Sequence, residues 1–507
     1  MKKIACLLLA VFVFCGLFAG CGQQGEDGGQ SSADRPFRIA IDVSDTSGFY
    51  PYKTQYVQAD GIIQSLIYDP LIREASDGSI SYCLADSYTY NEDDTELIFT
   101  LKQGVKFHNG DELTSEDVVF SYEHFCDEYY TGGLKGVKSA RADGDYTVVF
   151  ELEYPYVGTI PGEIQNLFII SKDYYEEVGA DVYDEQPVGT GPYSFVSWEK
   201  NAQINLTAFD DYYKSTPSIA AVELIFIPDE SARMNAIEVG DVDYAKLGST
   251  AINIFSGSED VNIVTSDTTT APGILMNESV PAFSDVRVRQ AIAYAIDREQ
   301  MVAAVFPDGG ASPSSVWVPK SIIGYSEDVP TYDYDLERAK ELMAEAGYAD
   351  GFDAGTIICS AQNVNNMSAQ VVQEQLSQIG ITVEIQQLET GTFYEQLFKR
   401  DFTLAFISFG IEGAHLADGA GLFVTNGELN WSGYSNPELD TLFDELSMET
   451  DLEKSQELCQ QIGVILQEDV PWIRCYDSEN IVAVTSDVEG FSPVRLGIDI
   501  FSMSWKQ

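Results

Sequence analysis

Basic residues are scarce in this 507-residue chain: 28 lysines and arginines stand against 81 aspartates and glutamates, a formal net charge of −53. A protein that grips a phosphate backbone needs a basic footprint, so nucleic acid is excluded as a partner. Histidine is nearly absent. His108, His124 and His415 lie far apart, without cysteine or histidine companions at metal-ligand spacing, so no metal is expected and His415 reads as a solvated loop residue. No GxSxG, HExxH or GxxxxGK occurs, and the GxGxxG of Gly20 to Gly25 falls at the junction of signal and tether, with no strand before it and no helix after it, which removes the common hydrolase, protease and nucleotide sites. Paired carboxylates could cleave glycosides, but among 81 acids pairs arise by accident. Neither an enzyme nor a bound cofactor is expected. After residue 18 no apolar run approaches the roughly 20 residues of a spanning helix.

What is present begins at the N-terminus. Lys2 and Lys3 precede an apolar stretch from Ile4 to Phe18, which ends in Ala19-Gly20-Cys21. A charged start, an apolar core too short to span a bilayer and small residues before the cut describe a secretory signal, residues 1–20. The segment QQGEDGGQSSADR that follows carries no large apolar residue. Burial cannot offset its ordering entropy, and residues 21–36 read as a flexible tether. Cys6 and Cys15 leave with the signal; Cys83, Cys126, Cys359, Cys459 and Cys475 remain in the body, an odd number without a CxxC pair. A body this large needs no disulfide framework, so buried free thiols are expected. The acid excess reads as a solvated surface, although it would also draw cationic solutes at low salt.

Along the body, FRIAID at Phe37 to Asp42 alternates like a strand, and an aromatic loop leads to a helix at GIIQSLIYDPLI. Residues 85–113 read as a meander, with Asn109-Gly110 in a tight turn and Thr114 capping a helix that carries Glu116 and Asp117 in its first turn. A hairpin follows at GDYTVVFELEY, then Pro187 to Tyr193 (PVGTGPY), a segment without periodicity that reads as a crossover between domains. The spacing predicts one helix over Ser284 to Phe306 and others over Leu336 to Ala346 and Met367 to Ile379, the last leading through Gly380 into the strand ITVEIQQL. Such alternation of helix and strand is typical of α/β lobes.

Two resemblances add to this reading. Ala-Gly before Cys21 resembles the lipobox of bacterial lipoproteins, with Phe18 where that motif usually has Leu. It implies lipidation (palmitate) of Cys21; the alternative is an ordinary cut nearby and a free soluble protein. Over nearly the whole mature chain, LADSYTYNEDDTELIFTLKQGVKFHNGDELTSEDVVFSYEHF (84–125), PVGTGPYSFVSWEK (187–200), DVRVRQAIAYAIDREQMV (285–302), WSGYSNPELDTLFDE and EDVPWIRCYDSENIVAV resemble, in order, the family 5 extracellular solute-binding proteins of peptide, oligopeptide and nickel-type ABC importers.

That resemblance implies an α/β, two-lobed fold of the periplasmic-binding-protein type II, with an additional inserted subdomain and mixed sheets flanked by helices. Lobe I is expected at 37–68, 187–276 and 488–507, the inserted subdomain at 69–186, and lobe II at 277–487. The implied function is capture of a small solute, a peptide being favoured, between the lobes. The solute then passes to ABC permease subunits and their ATPases, with the protein a monomer held at the outer face of the cytoplasmic membrane, or in the periplasm, through the Cys21 lipid. An oligosaccharide or other non-peptide solute, and a receptor-coupled sensor, are the alternatives.

In peptide-binding relatives an acidic residue of the second lobe holds the peptide amine. The corresponding stretch is LAFISFGIEGAHLADGAGLF, with Phe409 at the family's Trp, Glu412 at the acidic place, and Asp418 as its substitute in a segment where a Gly-rich run replaces the usual Pro-rich turn. A carboxylate in a dry cleft binds an ammonium more strongly than one at a surface. Tyr52, Tyr56, Trp317, Phe409, Trp431 and Tyr476 are placed near the cleft by the resemblance, where aromatics would give apolar walls with a polar handle. With Asn277 they complete the candidate ligand-binding set.

Overall fold

The structure is a computed structural model that describes residues 35–52, 57–74, 79–128, 134, 136–153, 164–411, 415–449, 451–492 and 498–506. Its two large sheets are assembled from strands far apart in the chain. The first runs, in order, 261–267, 476–485, 244–247, 37–41, 221–226, 203–208 and 193–199, with 311–313 added beside the start of 476–485. The second runs 381–388, 352–360, 404–407, 273–276 and 472–474. Both mix parallel and antiparallel pairs: Phe37–Ile41 lies parallel to Ala221–Phe226, and Gly273–Met276 antiparallel to its two neighbours.

The central strands are short apolar runs because both sheet faces are covered there, whereas the outer strands 193–199, 261–267 and 381–388 carry exposed polar residues. In the second sheet Ile357, Cys359, Leu404, Phe406, Ile274 and Met276 point into one buried cluster, while Ile358, Ala405, Ile407 and Leu275 point into the other. In the first sheet Ile39, Ile41, Val222 and Leu224 face one core and Ala40, Ala245 and Ala483 the opposite one. Alternation with a period of two therefore fills two cores per sheet.

A separate antiparallel sheet, in the order 85–90, 96–101, 147–152 and 137–142, is built by the expected meander and hairpin. Gly110 has φ of 94° at the turn. The helix Ser115–Glu128 starts where Thr114 donates its N–H and Oγ to the Asp117 carboxylate at 2.9 and 3.0 Å. Phe99 and Phe150 of this small sheet join the same core as Phe37 and Val222, so the insertion is fused to the first lobe.

The Pro187 to Tyr193 segment threads against the end of the helix Val57–Ile67, and Gly191 donates its N–H to the Ile67 carbonyl at 2.8 Å. Side chains cannot pass there: a Cβ on Gly189 would stand 2.0 Å from the Ile67 oxygen. His108 pins the same segment, receiving Gly189 N–H at Nδ1 (3.3 Å) and facing the Gly191 carbonyl at 3.0 Å.

One helix expectation needs correction. Ser284 to Phe306 is two helices, Val286–Ala295 and Arg298–Val305. Asp297 accepts from the Gln300 N–H and caps the second, leaving Ile296 extended. The apolar spacing continues across this break and hides it. The strand Tyr476–Thr485, inside the stretch expected in the second lobe, pairs in the first sheet, while Gly273–Met276, expected in the first lobe, pairs in the second. All five body cysteines are unbridged, and all but Cys126 are fully buried.

Candidate functional site

The chain passes from one sheet to the other at residues 268–272 and again around Cys475, and these two crossings run side by side. Cys475 donates its N–H to the Pro272 carbonyl at 2.9 Å and Thr268 donates to the Ser478 carbonyl at 3.2 Å. Gly273 has no room for a side chain, since a Cβ would meet the Ile473 oxygen at 2.0 Å. Hydroxyl groups tie the crossings further: Thr268 Oγ lies 2.9 Å from Thr270 Oγ and 3.1 Å from Ser478 Oγ.

Two loops of the second lobe close on this junction. Phe409 offers its carbonyl to Ala271 N–H at 2.7 Å, Gly410 bridges to Thr270, and Ile411 N–H reaches the Thr269 carbonyl at 3.2 Å. From the other side Ser321 Oγ donates to the Thr268 carbonyl at 2.8 Å. The junction therefore presents a polar floor formed by the crossings, with an aromatic wall behind it. Phe409 meets Trp431 edge-on at a centroid distance of 5.1 Å, and the exposed Phe398 also meets Trp431 edge-on, at 5.7 Å. Trp317 packs edge-on against Phe423 at 4.3 Å. The indole N–H groups of Trp317, Trp431 and Trp472 are buried and have no acceptor among the described residues.

Charge concentrates at one point of the floor. Arg474, 1% exposed, donates to the carbonyls of Trp317 (2.8 Å), Thr270 (3.1 Å), Val316 (3.2 Å) and Tyr476 (3.3 Å). It also pairs with Asp477 Oδ1. Burial pushes the Arg474 guanidinium down to about 10, with Asp477 opposing the shift. The other oxygen, Asp477 Oδ2, is buried without a hydrogen-bond donor among the described residues, and Lys320 Nζ stands 3.8 Å from it.

Of the residues singled out by sequence, Phe409, Trp317 and Trp431 belong to this wall. Asp418 lies on the short helix Leu416–Leu422, where its Oδ2 accepts His415 N–H at 3.0 Å and His415 Nδ1 receives Ala417 N–H at 3.2 Å. Its role in the fold is a reciprocal cap. Tyr476 is buried between Phe306 and Phe406, its hydroxyl 3.2 Å from Ser368 Oγ. Tyr52 is buried in the first-lobe core, donating to the Phe168 carbonyl. Asn277 pins the far end of its strand, donating to the carbonyls of Phe402 and Arg400 at 2.8 and 3.1 Å. Glu412, Tyr56 and Cys21 lie outside the described residues.

His415 corrects an expectation: it is half-buried, not solvated, and burial pushes its imidazole down to about 4. Among the described residues no group of three or more His, Cys, Asp or Glu could hold a metal ion. An open groove of about 510 Å³ along the strand Tyr193–Glu199 lies at the opposite edge of the first sheet from the crossings, and its Lys200 is already paired with Glu185 at 3.0 Å.

Arg474, Asp477, Lys320 and the Thr268–Thr270–Ser478 hydroxyls escaped the sequence reading. The available signal was a charged pair three residues apart, Arg474 and Asp477, in an otherwise apolar strand segment.

The same two-sheet architecture occurs in solved structures. The oligopeptide-binding protein AppA of Bacillus subtilis, solved in complex with a nonapeptide, superposes with a TM-score of 0.76 at 25% identity, covering 93% of this chain and 99% of that one. By sequence the chain is 28% identical to oligopeptide-binding protein AppA of Bacillus subtilis, over 97% of this chain and 96% of AppA. It is 25% identical to the dipeptide-binding protein of Escherichia coli, over 82% and 84%. Residues 79–430 match the model described as bacterial extracellular solute-binding proteins, family 5 middle, and the chain belongs to that family of solute-binding proteins.

Proposed function

We propose that this protein is the substrate-binding lipoprotein of an ABC importer, taking a peptide between its two lobes and delivering it to a membrane permease. The observation that carries the reading is the junction itself. Two adjacent crossings join two independently cored sheets, so the lobes can close about a hinge, and a solute touching both would favour the closed form. Its surroundings suit a peptide: crossing strands and the Phe409–Ile411 loop offer backbone polar groups, and the half-buried Phe409, backed by the buried Trp431, offers apolar surface for side chains. Relatives named for oligopeptides and dipeptides favour the same class.

The signal-like N-terminus supports export, Cys21 supports a lipid anchor, and no helix among the described residues is long and apolar enough to cross a membrane. The test is a thermal-shift screen of di- to hexapeptides, cello- and xylo-oligosaccharides and nickel chelates. A rise in Tm with peptides, without consumption of the peptide, is the expected result. A shift with sugars or chelates and none with any peptide would refute the peptide assignment.

A further inference from the structure

The chain joins the two lobes at a third place. The helix Arg298–Val305 buries Met301 and Val305 in one core of the second lobe; residues 311–313 then pair with Ser478, Asp477 and Tyr476, and Trp317, Val318 and Ile322 return to the other second-lobe core. Three passages therefore meet at the junction, 268–272, 311–317 and 474–478, and one side chain binds all of them. Arg474 is fully buried, and a guanidinium carries five N–H donors in one plane. Each has its own acceptor. Nε goes to the Tyr476 carbonyl (3.3 Å), Nη1 to the carbonyls of Val316 (3.2 Å) and Trp317 (2.8 Å), and Nη2 to the Thr270 carbonyl (3.1 Å) and Asp477 Oδ1. No donor is left over for a solute. Stability alone does not explain the residue, because apolar side chains in place of a buried ion pair are often neutral or stabilising.

We propose that Arg474 is a positioning residue of the hinge: by holding backbone carbonyls of all three passages in one plane, it makes them turn as a unit and confines the lobes to a single closing motion. Each residue of a passage has two soft backbone dihedrals, so three independent passages would let the lobes slide and twist as well as close. Clamped at one point, they share one pivot. The confinement raises the fraction of unliganded protein whose lobes stand ready to close on a solute, and apparent affinity scales with that fraction. Lysine is no substitute. Its compact ammonium keeps a charge for Asp477 but has three donors and no planar fork to span the passages. This inference rests on the closing motion proposed above, and not on the class of solute.

The test is double electron–electron resonance on the chain from residue 21 onward. Spin labels go on Glu238→Cys in the first lobe and Glu345→Cys in the second, both exposed positions, with Cys21→Ala and Cys126→Ser as background because the other four body cysteines are fully buried. Otherwise unchanged, this chain is expected to show one narrow label distance without solute, which shifts with a saturating peptide that raises its Tm. In Arg474→Lys the unliganded distribution should broaden, the liganded distance should stay the same, and the affinity read by calorimetry should fall about tenfold. Tyr476→Phe, which loosens the core beside the same strand, should lower stability without broadening. Where Arg474→Lys does not fold, the pair Arg474→Met with Asp477→Leu removes both charges together, and the same broadening is expected. A distribution as narrow as that of the parent in the folded variant, or a broadening that Tyr476→Phe reproduces, overturns the pivot while leaving solute capture standing. If no solute shifts the distance in the parent, the closing motion falls and the pivot with it.

Discussion

Two buried aspartates, Asp243 in the first lobe and Asp477 at the crossings, show how differently one side chain is used in the two regions. Asp243 is 1% exposed and both of its oxygens are filled: Arg38 donates its backbone N–H (2.9 Å), Nε (2.9 Å) and Nη2 (3.0 Å), and Arg35 adds Nη1 at 2.9 Å. Arg35 also reaches Asp487 at 2.9 Å and stacks over Trp505 at 3.9 Å. This network closes on itself beside the start of the first strand, Phe37–Ile41. Asp477 has one oxygen held by Arg474 and the other without a hydrogen bond among the described residues. A fully satisfied polar network rigidifies a fold, whereas a half-satisfied one costs stability unless something else completes it. The contrast separates a closed structural clamp from a polar pair with one oxygen left over.

The largest effect should come from breaking the clamp. Asp243→Ala leaves two arginines without their buried partner and is expected to cost about 3 kcal/mol, read as a lower urea midpoint, with peptide affinity unchanged. A matching loss of affinity would mean that the two regions are not separate.

A third acid sharpens the comparison. Glu278, just past the end of the strand Gly273–Met276, also has a buried oxygen, Oε1, without a partner among the described residues, and a single cation, Arg289, at 3.3 Å. Burial pushes its carboxyl up to about 7, with Arg289 opposing. The folded chain then holds a proton that the unfolded chain releases above about pH 4.5. That stabilisation is lost as pH rises from about 4.5 through 7. Glu278→Gln should remove this loss: between pH 4.5 and 8 the stability difference moves toward the variant by roughly 3 kcal/mol at most. Denaturation midpoints at both pH values measure it, and a pH-independent difference would contradict the assignment. Protonation can complete Glu278 without a ligand.

Tyr476→Phe should cost about 1 kcal/mol through the lost contact with Ser368, at the junction yet inside the core, and leave peptide affinity unaltered. Lys320→Met, which removes a half-exposed side chain, should change the unliganded stability little, within roughly 0.5 kcal/mol. Cys21→Ala is expected to leave both stability and affinity untouched and to move the protein from the membrane fraction to the soluble one; a variant that still sediments with membranes would remove the anchor from the account.

Local patterns carried much of the fold. Alternating residues in 85–113, Asn109-Gly110 and the Thr114 start were legible because each signal lies within one element. The break at Ile296 was not, because Val288, Ile292 and Ile296 keep helical spacing right up to the capping Asp297. The candidate site was legible only as an aromatic wall. Phe409 was found because large aromatics in loops are conspicuous, but nothing local distinguishes it from Trp317, Trp431, Tyr52 or Tyr476, which the fold puts in its cores. Lys320 and Asp477 are more than 150 residues apart in the sequence and meet only in the folded chain, so no spacing rule could join them.

The most direct test of solute capture at the crossings is amide hydrogen exchange of the full chain with and without a stabilising peptide. The account predicts added protection at residues 268–272, 408–411 and 474–478, with little change around Arg38 and Asp243. Protection concentrated along the groove of Tyr193–Glu199, with the crossings unchanged, would contradict it.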